Sequence, residues 1–110
     1  AGRHIPLREL DYAEVERWLE AALQRDPRSQ YPLQAAALVY AAVADPQRSR
    51  RMVDFIARHY PEDPARRHSW MQHAVAIARH HLHDPALAIA LQAKLDSVQG
   101  GASPAGVRLD

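Results

Sequence analysis

Four Asp-Pro pairs punctuate the chain, at Asp26-Pro27, Asp45-Pro46, Asp63-Pro64 and Asp84-Pro85. Eight aspartates and eight prolines in this length give about 0.6 such pairs by chance, so the recurrence is a pattern. Each pair is a boundary, because a residue before proline is pushed out of the α region while proline itself is tolerated in a first helical turn. Asp26 to Asp63 spans 37 residues and Asp45 to Asp84 spans 39. The pairs therefore mark alternately the end of a helical hairpin and the turn inside one. A unit of nearly 40 residues with two helices is expected, stacked as an α-solenoid.

Composition agrees with helices throughout. The chain has no threonine or asparagine and only four glycines, so strand formers and hairpin-turn residues are scarce. Alanine, arginine and leucine dominate, which predicts an all-α fold. At 110 residues one domain is expected. The absence of cysteine excludes disulfides, thiolate catalysis and Cys-ligated zinc. A net charge of +1 implies no general attraction to nucleic acid or anionic membrane. The longest apolar run, Ala35 to Ala44, falls short of a membrane span of about 20 residues. A cytoplasmic protein is expected, with a soluble domain of a longer membrane-anchored or exported protein as the alternative.

The spacing of apolar residues places five helices. From Asp11, Tyr12, Val15, Trp18, Leu19, Ala22 and Leu23 form one buried stripe to about Arg25, with Asp11 and Glu14 as a capping box. A second helix, Pro32 to Ala44, is apolar on all sides and so central. A third follows Asp45 to about Tyr60, with Met52, Val53, Ile56 and Tyr60 inward. The fourth, Pro64 to His83, carries two stripes: Trp70, Ala74, Ile77 and His81, then Met71, Val75, Ala78 and Leu82. The fifth, Pro85 to about Val98, buries Leu87, Leu91, Leu95 and Val98. Residues 1–10 read as an N-terminal extension, 11–98 as the helical-repeat domain and 99–110 as a Gly-containing flexible tail.

"DYAEVERWLEAALQRDP", Asp11 to Pro27, resembles the second helix of a tetratricopeptide repeat, with Ala22 and Leu23 before the terminal Asp-Pro. Pro32 to Val43 then resembles a first helix, with Leu33, Ala36, Ala37 and Tyr40 at its packing positions, and Asp45 to Pro61 its partner. Trp70, His73, Ala74 and Ile77 match the next first helix and Leu87 to Leu95 the next second helix. The likeness covers about Asp11 to Val98 as two and a half hairpins. "RSQYPLQAAALVYA" and "RRHSWMQHAVAIARHHLHD" also resemble uncharacterised proteobacterial proteins, a similarity that implies no activity. The tetratricopeptide resemblance implies a non-catalytic module binding a peptide or protein segment on a concave face. Tyr31, Gln34, Arg67, His68, Gln72 and His73 are the contacts it suggests.

Other chemistries are weaker. "HHLHDP" places His80, His81, His83 and Asp84 together with His73 two turns earlier, so His73, His80 and His83 are candidate metal ligands. Against this, imidazoles at a helix C-terminus interact well with its dipole, and Asp84 is a natural cap for the next helix. No cofactor is expected. No serine lies in a Gly-x-Ser-x-Gly elbow and no Gly-rich phosphate loop occurs, so an enzyme is not expected. Arg48, Arg50, Arg51 and Arg66 form a candidate basic patch for an acidic partner. Nucleic acid is disfavoured because no aromatic stacking set accompanies the arginines. Self-association through Trp18, Leu19, Leu91 or Leu95 on the terminal helices is a further expectation.

Overall fold

The structure is a computed structural model that describes the backbone of residues 10–102 and side chains through residue 97. The elements among the described residues are all helical. Helices α1 (Tyr12–Arg25), α2 (Tyr31–Leu38), α3 (Pro46–His59), α4 (Pro64–Ala76) and α5 (Pro85–Ala102) follow in order. Every junction after α1 contains one Asp-Pro pair, and three helices take an aspartate side chain as cap. Asp11 accepts from the Ala13 N–H at 3.0 Å, Asp45 from Gln47 at 2.9 Å and Asp84 from Leu87 at 3.0 Å. Such a cap satisfies one of the donors that a helix start leaves free, contributing about 1 kcal/mol. Asp26 instead closes α1 and folds its side chain onto the Arg28 N–H at 3.2 Å. Asp63 starts α4 with its carbonyl and gives its carboxylate to Arg66 at 3.1 Å.

Polar pairs between helices reveal their directions. Glu16 meets Arg51 at 2.8 Å, and one turn further along α1 and two along α3 Glu20 meets Arg58 at 3.4 Å and His59 at 3.0 Å, so α1 and α3 run parallel. Trp70 donates to Gln30 at 2.6 Å, and His81 lies 2.8 Å from the Val43 carbonyl, so α2 and α4 are parallel as well. Arg50 to Asp84 at 3.6 Å and the Tyr60 hydroxyl to the Leu95 carbonyl at 3.5 Å give α3 and α5 the same sense. The core lies where α1, α3 and α5 meet α2 and α4. It comprises Val15, Leu19 and Leu23 of α1, Leu33, Ala36 and Ala37 of α2, Met52, Val53, Phe55 and Ile56 of α3, Met71, Ala74 and Val75 of α4, and Ala88, Leu91 and Leu95 of α5. Alanines on α2 let its neighbours approach closely on three sides.

Several details differ from the pattern in the sequence. Trp18 is 57% exposed rather than part of the α1 stripe. It projects about 100° round the helix from the line of Tyr12, Leu19 and Leu23, and α1 is the outermost helix. Leu19, Leu91 and Leu95 are core residues, so they are not available for self-association.

Helix α2 ends at Leu38, not Ala44, and continues as a 3-10 turn over Tyr40–Ala42. No proline or glycine causes this. Three side chains from other helices take the carbonyls instead. The Tyr12 hydroxyl donates to Tyr40 O at 2.9 Å, the buried Ser49 hydroxyl lies 2.8 Å from Ala41 O and 3.0 Å from Val43 O, and His81 reaches Val43 O. A helix end leaves such acceptors unsatisfied, and here tertiary donors meet them. Helix α4 also stops short of His83. It widens into a π turn over Ile77–His81, closed by Leu82 N donating to Ile77 O and Asp84 N to Ala78 O, with His83 in the left-handed region at φ 52°. Helix α5 runs to Ala102, past the expected end near Val98. Most of the expected extension and tail lies outside the described residues.

One charged side chain is central to this packing. Arg67, expected as a groove contact, is only 4% exposed. Its Nη1 donates to His59 O and to Glu62 Oε1 at 3.0 Å, and its Nη2 donates to Pro27 O at 2.9 Å. The planar fork thus ties the α1–α2 turn to the end of α3 and the start of α4. Hydrogen bonds to a charged group contribute more than neutral ones, and truncation strands two carbonyls. Arg67→Ala is expected to lower unfolding free energy in urea by about 3 kcal/mol. Arg67→Lys should recover less than half of that, because an ammonium cannot bridge two diverging acceptors as a guanidinium does. A loss below about 0.5 kcal/mol for Arg67→Ala would remove the pin from this account.

Candidate binding surface

Helices α2 and α4 turn one side to α1, α3 and α5 and the other to solvent. On α2 the outward residues are Tyr31, Gln34 and Leu38, continued by Val39. Tyr31 is 60% exposed, Leu38 47% and Val39 46%, which is unusual for side chains of this size in a chain whose other large apolar groups are mostly buried. Tyr31 and Leu38 lie on the outward line of α2, and the break after Leu38 adds Val39, which the chain no longer carries round onto the core side. Tyr31, Gln34, Ala35, Leu38, Val39 and Tyr40 line an open cleft of about 180 Å3. That volume suits one or two side chains rather than a metabolite, whose sites usually measure about 300 Å3 or more.

On α4 the exposed stripe includes Ser69, Gln72, His73, Ala76 and His80. The bond from Trp70 to Gln30 zips the two helices together beneath this face. Of the contacts expected from sequence, Tyr31 and Gln34 line the cleft and Gln72 and His73 stand on the adjoining helix. Arg67 does not belong here, because its guanidinium is held by backbone carbonyls. His68 is half-buried, and its Nδ1 is enclosed without a hydrogen-bond partner. Leu38 and Val39 were not anticipated as site residues. Leu38 lies one turn beyond Gln34 on the outward line of α2, whereas the exposure of Val39 depends on the tertiary capture of carbonyls past α2, which leaves no local mark in the sequence.

The other expected sites are not assembled. Arg48, Arg50 and Arg51 lie in the first turns of α3, whereas Arg66 lies in the first turn of α4, past the far end of α3, which is about 12 Å from Arg51 at 1.5 Å per residue. Each faces a carboxylate as well: Arg48 faces Asp45, Arg50 faces Asp54 and Asp84, Arg51 faces Glu16, and Arg66 faces Asp63. His73, His80 and His83 do not converge. Among the described residues no three histidine or acidic side chains are placed to hold one metal ion. His81, the least conspicuous of the cluster, is the one with a structural partner, donating through Nε2 to Val43 O.

A scan of protein-family models and searches of curated proteins and solved structures find no match to this chain. Among the described residues no helix is long and apolar enough to cross a membrane.

One further cluster has the makings of acid–base chemistry. His59 is buried between α1 and α3 with Nε2 3.0 Å from Glu20 and Nδ1 3.0 Å from Glu62, which also accepts from Arg67. A general base needs a ring nitrogen facing a reacting group, and both of His59's face carboxylates. The cluster is a structural staple. Partial burial pushes the Glu62 carboxyl up, but hydrogen bonds from His59 and Arg67 and their charges outweigh this and leave it below its ordinary value of 4.5. A carboxyl lowered by folding contributes stability that is complete above its unfolded value and is lost as pH falls through the folded one. The melting temperature is therefore expected to fall between about pH 5 and pH 3. Glu62→Gln should make that fall shallower while lowering the value at neutral pH. Identical slopes for the two proteins would show that Glu62 carries none of the acid sensitivity.

Proposed function

We propose that the chain is a non-catalytic helical-repeat interaction module, arranged like a short tetratricopeptide solenoid, that binds a peptide or protein segment on the outer face of α2 and α4. The observation that carries this reading is the exposed Tyr31, Leu38 and Val39 around a side-chain-sized cleft on that face. An apolar patch with a polar group at its side, here Gln34, has the character of a binding site.

The packing supports the solenoid reading through its offsets. Gln30 pairs with Trp70 at a separation of 40, Val43 with His81 at 38 and Glu20 with His59 at 39. These are contacts between like positions of successive units, as expected of a stack in which each hairpin touches its neighbours. The unit is longer than the 34 residues usual in tetratricopeptide repeats, and the added length falls in the irregular ends of α2 and α4. In such a stack α2 and α4 are the first helices of their hairpins and line the concave side.

Selection of displayed random peptides against the full chain tests the proposal. Enriched peptides should lose about tenfold or more in affinity for Leu38→Asp, while Ile89→Ser, an exposed change on α5, leaves binding unchanged. Failure to enrich peptides, or equal losses for both variants, would count against this face as the site.

A further inference from the structure

The like-to-like contacts of α2 and α4 allow one helix edge to be compared with its counterpart. Val43 lies against His81 at a separation of 38, and the same step takes the buried Leu33, Ala36 and Ala37 of α2 onto the buried Met71, Ala74 and Val75 of α4. Trp70, Ile77 and His81 share one line through α4 and its π turn. That line faces α2, since Trp70 donates to Gln30 and His81 to Val43 O. Counted back by the same step, Trp70 and Ile77 correspond to Pro32 and Val39. Pro32 is buried, but Val39 is 46% exposed, and the cleft beside it is lined by residues 31–40 alone. Among the described residues no helix covers this edge of α2 as α2 covers α4.

A second uncovered apolar line stands on the last described helix. On α5, Ala86, Ile89, Ala90 and Ala93 are exposed at helical spacing, and Ile89, at 67%, is more exposed than Trp18, Tyr31, Leu38 or Val39. Residues 85–93 carry no charged side chain, and neither do residues 29–44. The exposed sides of α1 and α3 instead carry Glu14, Arg17, Asp54 and Arg58. We infer that the cleft receives α5 of a second copy of this chain, with Ile89 as the side chain that enters beside Tyr31, Leu38 and Val39. This rests on the proposed function for the choice of face and names the protein segment that binds there. Alanines at 86, 90 and 93 let the two helices approach closely, and one isoleucine matches a cleft of about 180 Å3. Neither surface brings a charge that would lose water on burial. The free edge of α2 points away from α4, whereas α5 packs on α4, so cleft and Ile89 lie toward opposite ends of the chain's helices. The contact is therefore head to tail, and each end of a pair is left open to a further copy.

Sedimentation velocity of the full chain tests this. Association is expected between about 10 µM and 1 mM, growing beyond dimers and changing less than about threefold from low to moderate salt, because no charges pair. Leu38→Asp and Ile89→Asp should each leave monomers over that range. Each variant loses one half of the contact and keeps the other, so an equimolar mixture of the two should form heterodimers that grow no further. Both sites are exposed, and unchanged melting curves confirm that the variants fold. Where a curve shifts, Leu38→Ser and Ile89→Ser take their place. At protein concentrations below this range Ile89→Ser stays neutral for peptide binding.

A monomer up to about 1 mM would overturn the inference, and the peptide selection would then decide separately whether the cleft binds segments of other proteins. Association that survives Leu38→Asp but not Ile89→Asp would overturn it in favour of a symmetric pair of α5 helices. Two variants that are each monomeric and stay so when mixed would overturn it as well, because Leu38 and Ile89 would then not meet in one contact.

Discussion

A single buried guanidinium is the constraint on which the rest of this small structure depends. Arg67 reaches Pro27 O across the α1–α2 turn and His59 O at the end of α3 while sitting in the first turn of α4. Four of the five helices therefore begin or end against one side chain. A charge so deeply placed is tolerable only because every direction it faces supplies an acceptor, Glu62 included. The acceptors are mainly backbone carbonyls, so the pin fixes chain path rather than a replaceable side-chain pairing. His59 extends it sideways: the residue whose carbonyl Arg67 holds also places its ring between Glu20 and Glu62, joining α1 to α3.

At the opposite end of α2 the same principle operates with different groups. Tyr12, Ser49 and His81 take the carbonyls of Tyr40, Ala41 and Val43, and α2 stops. Stopping there leaves Val39 exposed beside Leu38, around the cleft that Tyr31 also lines. Tertiary hydrogen bonding thus shapes the surface to which we assign function. Arg67 holds α2 and α4 side by side at their starts, and His81 does so at their ends. Between them lies the outward face of α2, with Tyr31, Leu38 and Val39 exposed around the cleft.

Much of this architecture is legible in the order of residues. The Asp-Pro pairs mark the junctions after α1, because proline restricts its predecessor and starts a helix on chemistry that is local to two residues. The helical periodicity of Met52, Val53 and Ile56, or of Met71, Val75 and Ala78, likewise depends on near neighbours and predicts the buried faces of α3 and α4. Trp18 eludes this reasoning because flank and stripe differ by one helical position, and which of the two it joins depends on how α1 packs against α2 and α3. Arg67 eludes it because arginines are usually exposed, and its three acceptors lie at 27, 59 and 62 in the chain. For the candidate face, Tyr31, Gln34, Leu38, Gln72 and His73 follow from helical phase, whereas Val39 follows from donors that are remote in sequence. The histidines of "HHLHDP" carry no local information on whether they converge, and their separation depends on the π turn.

The claim that one side chain couples the α1–α2 turn to the α3–α4 junction is tested most directly by residue-resolved hydrogen exchange on the full chain and on Arg67→Ala. The account predicts that amide protection falls together at Ser29 to Leu33, at the last turn of α3 and at the first turn of α4, while the middle of α5 changes only as much as global stability does. Loss confined to α4, with the α1–α2 turn and the end of α3 protected as before, would contradict it.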